Sequence, residues 1–115
     1  MKHAAFAFLL LLWPAAGFAA TVSAADAAAH AGQSVTVEGY VSEVHTARSG
    51  KATFVDLDGR YPGQAFTAVV FSSDMAAVGD VGGLAGKTMG ITGQVQMYRG
   101  RPEIIVHSRA QFHRW

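Results

Sequence analysis

The sequence predicts an all-β fold: a five-stranded Greek-key barrel preceded by a short N-terminal helix. Three features predict it. Apolar and polar residues alternate in several short runs, the period of a half-buried strand. The first run is about a dozen residues long and holds an internal glycine, so it can bend and serve two sheets. A long glycine-rich connection then separates the third strand from a closing two-stranded hairpin.

The chain begins with Lys2 and an unbroken apolar stretch from Ala4 to Trp13, followed by Pro14 and the small residues around Gly17 and Ala19. This order reads as a secretory signal peptide over residues 1–19, with cleavage after Ala19. The apolar stretch is ten residues long, and a membrane span needs about 20, so a permanent anchor is the weaker reading. No span is expected after cleavage, and localisation is expected to be periplasmic or secreted. The chain has no cysteine, which excludes an N-terminal lipidated cysteine, disulfides and thiolate metal sites.

The expected mature chain, Ala20–Trp115, has room for one domain with one core: a helical lead-in over 20–32 and the barrel over 33–115. In the lead-in, Ser23 can cap a helix over 24–30, with Asp26 three residues on and Gly32 as the stop. From Ser34, residues Val35, Val37, Gly39 and Val41 alternate with Thr36, Glu38, Tyr40 and Ser42, and the strand continues to Thr46. Gly39 marks an expected bend or bulge. Arg48 to Lys51 reads as a turn. The second strand is Thr53–Leu57, with Val55 and Leu57 on one face and Phe54 and Asp56 on the other.

Residues 58–63 form a loop by their glycine and proline content, and Phe66–Phe71 is the third strand. Residues 72–87 are a connection holding one helical turn, capped by Ser72 or Ser73, through Met75–Ala77. The fourth strand spans Thr88–Met97, interrupted by Gly90 and Gly93. Tyr98 to Arg101 turns the hairpin, and Pro102–Val106 is the fifth strand. Five such strands around a long third-to-fourth connection make an OB-fold barrel. An open sandwich or an SH3-like barrel is the second choice.

Removing residues 1–19 takes away Lys2 and no acidic residue. Eight basic residues then face eight acidic ones, and the formal charge is zero. A nucleic-acid binder usually carries a basic excess, so any such role rests on local placement. Arg99, Arg101, Arg109 and Arg114 all fall in the last 17 positions.

The runs Val35–Val41 (VTVEGYV), Ser49-Gly50-Lys51, Phe54–Gly59 (FVDLDG) and Phe66–Phe71 (FTAVVF) resemble the OB-fold nucleic-acid-binding domains of the tRNA-anticodon-binding type. Leu84–Thr88, Ile91–Val95 and Tyr98–Ile105 fit the closing half. The resemblance covers nearly the whole mature chain. It implies a non-catalytic module for single-stranded DNA or RNA, although the same barrel also carries oligosaccharides and other ligands. The chain departs from the pattern in its acidic positions Glu38, Glu43, Asp56 and Asp58, which repel phosphate.

Single-stranded nucleic acid needs aromatic faces for its bases and cations for its backbone. The candidates are His45, Arg48 and Lys51 in and beside the first loop; Tyr40, Phe54 and Phe66 on the strand face; Arg60 and Tyr61 in the second loop; and Tyr98, Arg99 and Arg101 on the hairpin. A one-residue slip in register would turn Phe54 and Phe66 into core residues, and Arg48 and Lys51 also suit a solvated turn. The second functional reading is an envelope module for a small ligand, cation, glycan or protein, with a structural or stress-related role.

His30, His45, His107 and His113 carry no helical zinc motif, so no metal site and no cofactor is expected. Asp56 and Asp58 could pair as acid and base or lie on a solvated edge, and nothing nearby points to an enzyme. In the tail, Phe112 and Trp115 either dock on another envelope protein or close the base of the barrel.

Overall fold

The computed structural model describes residues 19–115, so the expected export signal, apart from its last residue, lies outside the described residues. Eight strands follow in order: β1 Ala20–Ser23, β2 Ser34–Thr46, β3 Ala52–Leu57, β4 Phe66–Phe71, β5 Thr88–Gln94, β6 Gln96–Tyr98, β7 Arg101–Ile105 and β8 Phe112–His113. One short α-helix, α1 Met75–Val78, lies between β4 and β5. No helix among the described residues is long and apolar enough to cross a membrane.

The fold is all-β and barrel-like, with eight strands among the described residues where five were expected. The expected fourth strand is split at Val95 into β5 and β6, while β1 and β8 are additions. Neither addition carries a clear alternation. β1 has four residues laid parallel along β2, Ala20 opposite Val35, and β8 has two residues paired with β5.

The sheet order is β6-β7-β4-β3-β2-β5-β8. β5 and β6 therefore sit far apart in the sheet yet are joined by one residue. The sheet must curl until those regions meet, and Val95 is the hinge. Its N–H donates to Gln33 O (3.0 Å) and its carbonyl accepts from Gly32 N–H (2.7 Å), so the break in the ladder leaves no orphaned backbone group there.

Alternation along the strands places Val37, Val41, Val55, Leu57, Phe66, Ala68, Val70, Ile91 and Ile104 in one core. Phe66 is only 1% exposed. It is a core residue and not a surface aromatic, because Phe66, Ala68 and Val70 form the inward row of β4.

The predicted bend at Gly39 needs a correction. Val41 pairs with Leu57 but Glu43 pairs with Asp56, so the register slips by one residue at Ser42. Ser42 is the bulge, and its Oγ accepts the Gly59 N–H at 2.8 Å. Gly39 answers a different need: a β-carbon there would lie 3.0 Å from Leu57 Cδ2.

The lead-in occupies the expected span but is a 3₁₀ helix, Ala24–His30, with Ser23 Oγ accepting the Asp26 N–H at 3.2 Å. Ala24 and Ala27 are both fully buried. Their spacing of three puts them on one edge of a helix with three residues per turn. The expected caps Ser72 and Ser73 instead lie within a 3₁₀ turn, Ser72–Asp74, which leads into α1 without a side-chain cap. Val78, Val81 and Leu84 are buried, so the long connection covers the core. The tail closes its own barrel: Phe112 is buried in the core, Trp115 meets it edge-on at 5.2 Å, and the Arg109 guanidinium stacks 3.5 Å from the Trp115 ring centre.

Candidate functional site

The Ser42 bulge decides what the barrel shows to solvent. Without it, the inward row of Val35, Val37 and Val41 would continue to Glu43 and His45. With it, Val44 turns in towards Val55, while Glu43 and His45 turn out.

Strand pairing then aligns two rows on the outer face. One is polar and crosses five strands: Glu43 on β2, Asp56 on β3, Thr67 on β4, Glu103 on β7 and Gln96 on β6. The other is mainly apolar: His45, Phe54, Val69 and Ile105.

A cleft of about 370 Å³ lies over these rows, lined by His45, Phe54, Tyr61, Gln64, Tyr98, Arg99, Arg101 and Glu103. A neighbouring groove of about 320 Å³ shares Phe54, Tyr98 and Glu103 and adds Ala52, Val69, Phe71, Gln96 and Ile105. The His45 ring lies 5.1 Å from the Phe54 ring and 5.9 Å from the Tyr61 ring.

On the opposite rim, Arg99 (φ 52°) and Gly100 (φ 78°) both have positive φ, the signature of a type I′ hairpin turn. The turn holds the Arg99 guanidinium 5.2 Å from the centre of the Tyr98 ring.

A hydrogen-bonded chain through buried Asp56 and Thr67 links two of the lining residues, His45 and Gln64. His45 Nε2 and Asp56 Oδ2 are 3.0 Å apart, the Thr67 hydroxyl donates to Asp56 Oδ1 at 3.0 Å, and Gln64 Nε2 donates to Thr67 Oγ1 at 3.1 Å. Asp56 is fully buried. Burial pushes its carboxyl above the usual carboxylate value, and the nearby Glu43 charge adds to this. The Thr67 hydrogen bond and His45 pull the other way and offset only part.

Six of the eleven candidate residues meet at the cleft: His45, Phe54, Tyr61, Tyr98, Arg99 and Arg101. Arg60 lies beside it, with Nη2 at 3.7 Å from Glu43 Oε2. Arg48 and Lys51 stay on the exposed turn and do not line the cleft. Tyr40 lines a separate groove with Thr21, Val22 and Glu38. Phe66 points into the core.

Asp56 and Asp58 do not face each other as an acid–base pair. Asp58 lies past the end of β3 at φ 54° and accepts the Tyr40 N–H at 2.9 Å.

No metal site was expected, yet Glu43, His45 and Asp56 each bring one potential ligand atom within 4.8 Å of the others. Helical spacing motifs could not reveal this group. Its signal is Glu43-x-His45, two residues apart on a strand, and it is completed only by the partner across the ladder. The other three candidate histidines are bound into the fold: His30 to Gln33 (3.0 Å), His107 to Asp74 (2.9 Å) and His113 to Thr92 (2.6 Å).

No protein-family model matches the chain, and no curated protein does. Among solved structures, a chain provisionally named an aspartyl-tRNA synthetase, from Leishmania major Friedlin, superposes with a TM-score of 0.51 at 13% identity, over 82% of this chain and 21% of that one. A chain provisionally named a nucleic-acid-binding lipoprotein, from Klebsiella pneumoniae, gives a TM-score of 0.43 at 20% identity, over 71% of this chain and 74% of that one. This chain spans about a fifth of the synthetase chain. Its likeness to that segment is a likeness of fold: an all-β, barrel-like domain.

Proposed function

We propose that this is an OB-type barrel that binds single-stranded nucleic acid through the cleft, without catalysing a reaction. The observation that carries the reading is the convergence of three aromatic rings (Phe54, Tyr61 and Tyr98) with two guanidiniums (Arg99 and Arg101) on one concave surface. They come from β3, the loop after it and the β6–β7 hairpin. Bases stack on exposed rings at about 1–3 kcal/mol each, and guanidiniums hold the backbone phosphates. The adjoining groove extends the same surface past Phe54 and Tyr98, so the strand would run across the sheet rather than enter a closed pocket.

Glu43, Asp56 and Glu103 on the same face limit the number of phosphates held there. Stacking therefore carries most of the affinity, and the salt dependence is shallow, with a log–log slope of about −0.7 per phosphate contacted. With export as the sequence indicates, the ligand would be met outside the cytoplasm.

Titration of labelled oligonucleotides at low salt, in the presence of a chelator, tests the proposal. Saturable binding at micromolar protein that weakens as salt is raised supports it. No binding at tens of micromolar, or binding indifferent to salt, overturns it.

A second reading, a module for a small ligand, cation, glycan or envelope protein, draws on those same three carboxylates. Binding of that kind would survive replacement of both Arg99 and Arg101 by alanine.

A further inference from the structure

Strand chemistry sets Glu43, His45 and Asp56 together. Residues 43 and 45 are two apart on β2 and share a face, and Asp56 is the direct cross-strand partner of Glu43. One ligand atom from each lies within 4.8 Å of the others. His45 Nε2 and Asp56 Oδ2 are 3.0 Å apart. Two donors about 2.1 Å from a common ion and at right angles to one another are separated by roughly that distance.

We propose that Glu43, His45 and Asp56 form a binding site for one divalent transition-metal ion beside the cleft, with His45 in the cleft wall.

The bland account of this trio is a histidine–carboxylate hydrogen bond beside a surface ion pair. Three observations set the site apart from it. The first is charge. Asp56 is fully buried, and Glu43 lies within reach of it. The nearby guanidinium, Arg60, is 3.7 Å from Glu43, and its side chain is 74% exposed. An exposed arginine at that range offsets little, and His45, 3.0 Å from Asp56, carries charge only when protonated, so beside a neutral imidazole two carboxylates share a poorly neutralised site. A divalent cation would neutralise both.

The second is support from behind. Thr67 donates to the Asp56 oxygen that does not face His45, and Gln64 in turn donates to Thr67. A ligand carboxylate is commonly oriented by such partners.

The third concerns the other polar atom of Gln64. Gln64 Oε1 is a buried acceptor without a hydrogen-bond partner, and Gln64 lines the same cleft as His45. An unpaired buried acceptor carries a desolvation cost, and a water bound to a metal ion is a donor suited to relieve it.

One imidazole, two carboxylates and no sulfur make a nitrogen–oxygen donor set. It suits Zn²⁺ or Mn²⁺ and not Cu⁺, and the imidazole separates it from the all-oxygen cages of Ca²⁺. Three protein ligands leave coordination positions for water or a further ligand, as in reactive rather than purely structural zinc sites.

The proposal does not rest on nucleic-acid binding. The oligonucleotide titration is run with chelator, whereas this test uses metal alone, so the two can fail separately. The protein is stripped with chelator, then titrated calorimetrically with ZnCl₂ and with MnCl₂. One saturable site per chain is expected. Glu43→Gln and His45→Gln should each weaken it by more than about tenfold while circular dichroism shows the fold retained. His107→Gln and His113→Gln should leave it unchanged. Affinity should fall on acidification, as protons compete for the ligands.

Absence of saturable uptake of either ion at millimolar concentration overturns the proposal. So does undiminished affinity in whichever of Glu43→Gln and His45→Gln remains folded, or loss of the site on replacing His107 or His113. Both ligand substitutions lie on half-buried side chains, which keeps at least one readout from depending on the buried Asp56.

Discussion

A β-carbon placed on Gly93 would lie 2.6 Å from Ile104 Cγ2 and 3.1 Å from Gln111 Nε2. Ile104 is fully buried on β7, and Gly93 stands on β5, two residues before the Val95 break. The two strands are not hydrogen-bonded neighbours, and their close approach is how the curled sheet closes on itself. Gly93→Ala is expected to force Ile104 out of place at a cost of about 1–3 kcal/mol. Thermal melting should show a fall of roughly 4–8 °C per kcal/mol for a domain of this size. A melting temperature equal to wild type would mean that Ile104 can yield to a β-carbon at position 93 without cost.

Phe66 and Phe54 separate core from surface. Phe66→Ala is expected to cost about 3–5 kcal/mol in a denaturant titration, as the loss of a buried ring does. Phe54→Ala should cost much less stability and instead weaken oligonucleotide binding. A reversal of the two effects would exchange the faces of β3 and β4.

Arg99 occupies a position where asparagine or glycine is the favoured residue, since its φ is 52°. Arg99→Asn should therefore stabilise the hairpin by on the order of 0.5–1 kcal/mol while reducing oligonucleotide affinity and its salt dependence. Such a gain in stability with a loss of binding is what a residue kept for function at a structural cost produces. Loss of both would make Arg99 a structural residue.

Asp56 ties stability to pH. Its carboxyl titrates above the ordinary 3.8 when folded, chiefly because of burial. The folded protein therefore holds the proton more tightly than the unfolded chain does. As pH rises from below 3.8 through the folded value, the unfolded chain gives up its proton first and wild-type stability falls. Asp56→Asn keeps the shape and can still accept from Thr67, but it does not ionise. Its stability relative to wild type should improve across that window and level off above it, as followed by melts at successive pH values in the absence of metal. A difference that runs the other way would show that the hydrogen bonds from Thr67 and His45 outweigh desolvation.

Much of the fold is legible in period two alone. β2 and β4 begin and end at the residues the alternation picks out, and Val55 and Leu57 face inward while Phe54 faces outward. The remainder depends on partners distant in the chain. The break at Val95 is set by Gln33 and Gly32. The lead-in is 3₁₀ rather than α, with Ala24 and Ala27 both buried at a spacing of three. Ser42 gives no local sign of a bulge, yet it turns Glu43 and His45 outward.

The site divides in the same way. Exposed aromatics and arginines next to turns are readable one residue at a time, and four of them, Tyr61, Tyr98, Arg99 and Arg101, gather at the cleft with the strand residues His45 and Phe54. Glu43, His45 and Asp56 become a group only once β2 and β3 are paired in register, and Tyr40 lies away from the cleft because its part of β2 pairs with β5 instead.

The pairing of β2 with β5 has a consequence for how fast the molecule forms. Val35 meets Gly93, and Thr36 meets Thr92, so the longest strand waits for a partner almost sixty residues later in the chain. β4 must likewise wait for β7 to lie parallel beside it. Early hairpin formation between β2 and β3 can bury only part of the core, and the entropy of closing the long loop falls due before the remaining contacts form. Refolding is therefore expected on the slow, millisecond-to-second scale of high-contact-order β-proteins, with an interval in which the edge of β2 that faces β5 has no partner.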